Sequence, residues 1–227
     1  MASKAVSDAG AGAAGAPAAR PPLGTGAAAE PYPGTEPGDK YLAPGVAGAA
    51  KLLVVGPLGV GKTTLIGTVS EIRPLSTEAM MTRAGARVDT RGGRTKTTTT
   101  VALDFGRITL DGDLVLYLFG TPGQQRFLPA WRDLAKGALG ALALVDTRDP
   151  AASFDALGNL EDLDLPFAVA VNTFPGSPEH SEDDLRIALD LLPSTPLVRC
   201  DARDARSSVL ALIALVRHLV HAATESS

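Results

Sequence analysis

Gly56-Pro57-Leu58-Gly59-Val60-Gly61-Lys62-Thr63-Thr64 has the G-x-x-x-x-G-K-T spacing of a phosphate-binding loop. The apolar, β-branched run Leu52-Leu53-Val54-Val55 precedes it and reads as a buried strand. Leu65, Ile66 and Val69 follow on helical spacing. Glycines let such a backbone curl so that its N–H groups converge on phosphate oxygens. The helix start adds partial positive charge and further donors. In a loop of this kind Lys62 bridges the terminal phosphates and the Thr63 hydroxyl ligates Mg²⁺. Gly56, Gly59, Val60, Gly61, Lys62, Thr63 and Thr64 are therefore candidate nucleotide contacts. The competing explanation is a glycine-rich turn with a chance lysine, and the flanking strand and helix weigh against it.

Around this loop the chain of 227 residues has length enough for one α/β core. A net charge of −4 supplies no general attraction for nucleic acid. The single cysteine, Cys200, fits a reducing, cytoplasmic compartment rather than a disulfide framework. Residues 1–47 are dominated by Ala, Gly and Pro, and Pro31, Pro33, Pro37 and Pro44 break any helix. They hold too few large apolar side chains to offset chain entropy, so the expectation is a disordered tail ahead of a folded domain at 48–227. The N-terminus lacks the bulky apolar core of a signal peptide. No apolar stretch is read as reaching the roughly 20 residues of a membrane span. Ala2 and the final Glu225-Ser226-Ser227 carry no lipidation signal, so no direct membrane anchor is expected and recruitment would run through a partner.

Beyond the first helix, Ser76 to Thr100 is polar and Arg-rich, without helix or strand periodicity, and ends in Thr97-Thr98-Thr99-Thr100. It reads as a long irregular loop. Val101–Leu110 and Leu114–Phe119 read as two strands joined by the turn Asp111-Gly112-Asp113. A turn at Gly120-Thr121-Pro122-Gly123-Gln124-Gln125-Arg126-Phe127 leads into a helix near Pro129–Lys136. Leu139–Val145, Phe167–Asn172 and Leu197–Cys200 are further strands. Asp149-Pro150 suits a helix start, with Phe154, Leu157 and Leu160 on one face. Ser181 and Asp184 suit a capping box, followed by a face of Leu185, Ala188, Leu189 and Leu192. The last helix is expected to bury Val209, Leu212, Ile213, Val216 and Val220. Strands alternating with helices imply a mostly parallel sheet covered on both faces, with the ligand across the carboxyl ends of the strands.

A threonine run before the second strand, Pro-Gly-Gln after the third, Asn at the end of the fifth and a small polar turn after the sixth form an ordered set. With it, the chain resembles the Ras-like small GTPases. More narrowly it is similar to the bacterial gliding and polarity branch, and most to the GTPase of actinobacterial conservons, whose neighbour is a Roadblock-type protein. The residues that carry this are Gly56–Thr64, Thr97–Gly106, Gly120–Phe127, Leu134–Arg148 and Asp201–Arg203. The resemblance runs from Lys51 to the end of the sequence. It implies a three-layer P-loop NTPase fold with a six-stranded, mostly parallel sheet and one antiparallel edge strand. It also implies Mg²⁺ and GTP/GDP as cofactors, slow GTP hydrolysis, a Roadblock-type dimer as partner and a membrane sensor kinase complex reached through partners. By position, Thr100 or the adjacent Thr99 matches the first-switch threonine that closes on Mg²⁺ and the third phosphate. Gly123 matches the glycine whose N–H meets the γ-phosphate. Gln124, with Gln125 as its rival, matches the glutamine that positions the attacking water.

Three departures stand out. Gly120 occupies the position where the family places an Asp that holds Mg²⁺ through water; Asp146 either substitutes or caps the next segment. The family's Asn-Lys-x-Asp reads Asn172-Thr173-Phe174-Pro175, so the carboxylate that accepts guanine's N1–H and amino group is missing. Charge-assisted bonds of that type contribute roughly 1.5–3 kcal/mol each. Asn172 either contacts the purine, ties loops together or is a plain strand-end residue, and Asp201-Ala202 matches the turn whose backbone N–H meets the guanine carbonyl. No arginine immediately precedes the switch threonine; Arg91 and Arg94 either swing toward the phosphates or belong to a solvated basic loop, and a partner is the other way to complete the site. Trp131, with Phe127, Leu128 and Leu134, reads either as an interface or as packing on the sheet. The strand at Val101–Phe105 is expected on a sheet edge. Two other functions remain open on these departures: an interaction module without hydrolysis, and a P-loop kinase or ATPase.

Overall fold

The computed structural model describes residues 48–81, 99–110, 114–123 and 128–225. Strand β1 (Gly48–Val55) runs into helix α1 (Lys62–Val69), followed by β2 (Leu75–Met81), β3 (Thr99–Leu110) and β4 (Leu114–Gly120). Helix α2 (Leu128–Ala135), β5 (Gly140–Val145), a short 3₁₀ turn at Pro150–Ser153 and α3 (Phe154–Asp162) come next. The chain then forms β6 (Phe167–Asn172), α4 (Glu182–Ala188), β7 (Leu197–Cys200) and α5 (Ala205–Glu225). The sheet has the order β2-β3-β4-β1-β5-β6-β7. β1 pairs in parallel with β4 and β5, and β6 in parallel with β5 and β7, whereas β3 runs antiparallel to both its neighbours.

All six strands read from the sequence are present, and one strand runs against the rest as expected. The structure adds a seventh, β2, inside the segment expected to be irregular. It pairs along its length with β3, from Leu75 opposite Phe105 to Met81 opposite Thr99. β3 is therefore an interior strand, and Val101–Phe105 is not on the sheet edge. β3 also starts two residues early, at Thr99, since β-branched threonines suit a pleated ladder.

Side chains alternate along a strand, and β1 shows the consequence. Leu52 and Val54 enter one core with Leu65 and Ile66 of α1 and Leu212 and Leu215 of α5. Leu53 and Val55 enter a second core with Trp131 of α2, Leu157 and Leu160 of α3, Leu185 of α4 and Leu189 just after it. Trp131 is thus a packing residue, only 5% exposed.

Two helices differ from expectation in how they face the sheet. In α5 the buried positions are Ser208, Ala211, Leu212 and Leu215, while Val209, Ile213 and Val220 are exposed. The helix is apolar nearly all round, so composition alone does not define its inner face. α5 is also long and apolar enough, by length and composition, to cross a membrane, contrary to the expectation that no stretch is. Its inner side packs on β5, β6, β7 and α1, as a sheet-covering helix does. In α4, Ser181 accepts from the Asp184 amide at 3.1 Å as the capping box requires. Of the expected face only Leu185 and, just past the helix end at Ala188, Leu189 are buried, while Ala188 and Leu192 are exposed.

Candidate functional site

The carboxyl ends of β1, β4, β6 and β7 share one rim of the sheet because these strands are parallel. The phosphate loop leaves β1 there and turns into α1 through backbone that only glycine adopts easily. Gly56 has φ 137° and Gly61 φ 107°. A Cβ on Gly56 would meet the Leu144 carbonyl oxygen at 2.5 Å, and one on Gly61 would meet Asn172 Nδ2 at 2.5 Å. Gly61 caps α1 and brings no side-chain acceptor, so the first-turn amides remain available to an anion.

Lys62 is buried and turned back on this loop, its Nζ donating to the Gly56 carbonyl at 2.8 Å and the Pro57 carbonyl at 2.7 Å. Burial pushes its ammonium down to about 8, opposed by the charge of Asp104. Thr63 donates its hydroxyl to Asp104 Oδ2 at 2.5 Å. Asp104 lies on β3 directly opposite Gly120 of β4. A Cβ on Gly120 would approach Asp104 Cβ to 3.0 Å and Asp104 Oδ2 to 3.3 Å. The space that a side chain at 120 would take is thus filled by a carboxylate from the adjacent strand. Asp146 is engaged elsewhere: Arg148 holds its carboxylate through Nε and Nη2, which lowers its pKa. Asp104 is not among the candidate residues marked by the sequence motifs. Its signal was an acid inside an otherwise apolar stretch, Ala102-Leu103-Asp104-Phe105.

Gly123 sits against the phosphate loop. A Cβ there would meet the Leu58 amide nitrogen at 2.5 Å and the Pro57 carbonyl carbon at 2.8 Å. The segment is fixed by Thr121, whose amide donates to Val54 O at 3.0 Å. Gln124 and Gln125 lie outside the described residues, as do Thr97, Thr98, Arg91 and Arg94 and the tail at 1–47. Thr100 is not in a loop before the strand. It is inside β3, opposite Met80, and the residue of β3 that meets Thr63 is Asp104.

At the other end, Asn172 ties two loops together. Its Nδ2 donates to Val60 O at 2.8 Å and its Oδ1 accepts from the Ala202 amide at 2.9 Å. Asn172 and Ala202 are both buried. The Ala202 N–H, expected to meet a base carbonyl, is therefore already engaged. Asp201 accepts from the Arg203 amide at 3.0 Å, from Arg203 Nε at 2.9 Å and from Nη2 at 2.8 Å. These bonds hold its carboxyl down to about 2. Phe174 is covered by the Arg148 guanidinium, 3.9 Å from the ring centroid.

A glycine-rich loop between a central parallel strand and a helix, with lysine and threonine at its end, defines a P-loop protein. Residues 54–222 match the family described as conserved hypothetical ATP binding protein, and the chain belongs to that family. Among solved structures it is similar to the FeoB G-domain from Methanococcus jannaschii, with a TM-score of 0.51 and 14% identity. That likeness spans 75% of this chain and 97% of the other, and it speaks to the fold. A comparison with curated proteins finds no match.

Proposed function

We propose that the chain is a small GTP-binding switch of the bacterial polarity and gliding branch, nearest to the conservon GTPase. It binds Mg²⁺ with GTP or GDP, hydrolyses GTP slowly and works in the cytoplasm with a Roadblock-type dimer. Partners bring it to a membrane sensor kinase complex. The observation that carries this reading is the Lys62, Thr63 and Asp104 arrangement at the mouth of the glycine loop. A hydroxyl and a carboxylate offer the oxygen-only donors that Mg²⁺ takes, and that ion uses one or two carboxylates together with phosphates. When bound, Mg²⁺ neutralises charge on the phosphate oxygens. Asp104 orients the Thr63 hydroxyl. Lys62 swings from the loop carbonyls to the terminal phosphates, and Gly123 brings its amide to the third phosphate. Gln124 positions water. A glutamine-type site of this kind is slow alone and is completed by a partner.

GTP turnover by wild type and by Lys62→Ala, each with and without the Roadblock-type protein, tests the reading. Equal rates would remove the hydrolytic part. A second reading, a nucleotide-binding interaction module without hydrolysis, is favoured by one observation, the absence of a carboxylate at position 120. Mg²⁺-dependent nucleotide binding without turnover under any partner condition would select it.

A further inference from the structure

Resting on the reading that this rim holds a nucleoside triphosphate, we propose that its base pocket does not select guanine. Its ligand class is the purine nucleoside triphosphates, ATP as well as GTP.

Guanine offers a carbonyl acceptor with adjacent N–H donors, where adenine offers an amino donor, and both share the N7 acceptor. Choosing guanine requires a carboxylate for its two N–H groups and an N–H for its carbonyl. Neither is available at the two turns that flank the base end. Position 175 is Pro, in a turn closed by the Phe174 amide on Ser177 Oγ at 3.1 Å and the Ser177 amide on Phe174 O at 3.0 Å. The Ala202 amide is held by Asn172, and the Arg203 amide by Asp201.

The Asp201 carboxylate is the remaining acceptor at this turn. It already takes three hydrogen bonds from Arg203, two of them on Oδ1. A carboxylate has about four lone-pair sites, and guanine needs two. Asn172 Nδ2 keeps one hydrogen beyond the bond to Val60 O, and that hydrogen suits N7 of either purine. The polar groups left over thus read what adenine and guanine have in common.

Competition of GTP and ATP, each with Mg²⁺, against a fluorescent GTP analogue on the full chain tests this. Wild type is expected to bind the two within about tenfold, that is, within about 1.4 kcal/mol. Pro175→Asp is expected to shift the preference toward GTP by at least about tenfold. A wild-type preference for GTP beyond about a hundredfold would overturn the inference while leaving nucleotide binding standing. So would an Asp201→Asn variant that loses GTP but not ATP, since Asp201 would then be reading guanine. Binding of neither nucleotide would instead overturn the underlying reading.

Discussion

Asp104 and Gly120 face each other across the β3–β4 ladder, and the carboxylate of the first fills the room left by the missing side chain of the second. The acid is displaced by one strand while still meeting the Thr63 hydroxyl. Asp104→Asn keeps the shape and removes the charge. A charge-assisted bond contributes roughly 1.5–3 kcal/mol, so the Mg²⁺ concentration needed for nucleotide binding should rise about tenfold or more. Gly120→Asp alone should destabilise the fold by crowding Asp104, whereas Gly120→Asp with Asp104→Gly should recover Mg²⁺ dependence. A Mg²⁺ titration of nucleotide affinity reads both; an unmoved midpoint in Asp104→Asn would show that this carboxylate does not serve the ion.

Lys62 gives the stability curve a definite slope. Its folded value is about 8 against an ordinary 10.5, because burial disfavours the charged form. Between those values the unfolded chain holds more protons, so stability rises as pH climbs from about 8 toward 10.5. The cost of burying the ammonium is present below that window. Lys62→Met should flatten the slope, as read by urea midpoints of nucleotide-stripped protein across the window. Phosphate beside the ammonium raises its pKa again, so nucleotide binding in the same window should take up a proton. Calorimetry in buffers of different ionisation enthalpy measures that uptake.

Asn172→Ala leaves the Val60 carbonyl and the Ala202 amide without their partner. A buried polar group left unsatisfied costs about 1–3 kcal/mol, so thermal stability and nucleotide affinity should fall together. Asn172→Asp should not rescue, because it restores the acceptor for Ala202 but places a carboxylate against the Val60 carbonyl. A variant that kept wild-type melting and affinity would mean the two loops are held by other contacts.

Leu215→Ala should destabilise by about 2–5 kcal/mol, the usual range for a buried leucine. Val220→Ala, on the exposed side of the same helix, should stay within about 0.5 kcal/mol. Urea unfolding of the two variants compares them. The reverse ranking would restore the stripe first read from the sequence.

What was legible from the residues was local. The β1, loop and α1 unit follows from a short apolar run, glycine spacing and helical periodicity. Asn172 was placed at a strand end with tying loops together among its open roles, and the fold supplies the two partners, Val60 and Ala202. Asp104 was not legible, since its function depends on which residue of β4 stands opposite, and register is a property of two strands. Strand β2 was missed because Leu-Ser-Thr-Glu-Ala-Met-Met lacks a clean alternation and gains its pairing from β3. The inward face of α5 was misjudged because Val209 and Ile213 are as apolar as Leu212 and Leu215. What separates the two pairs is rotation about the helix axis.

The amide of Asn172 acts as a crosslink of two hydrogen bonds between segments far apart in sequence. The glycine curl at Val60 and the turn at Ala202 are consequently tied into one clasp. On the proposed function, slack introduced at the Ala202 side should be felt at Val60, so that affinity for a triphosphate tail would depend on a residue placed at the other end of the loop pair.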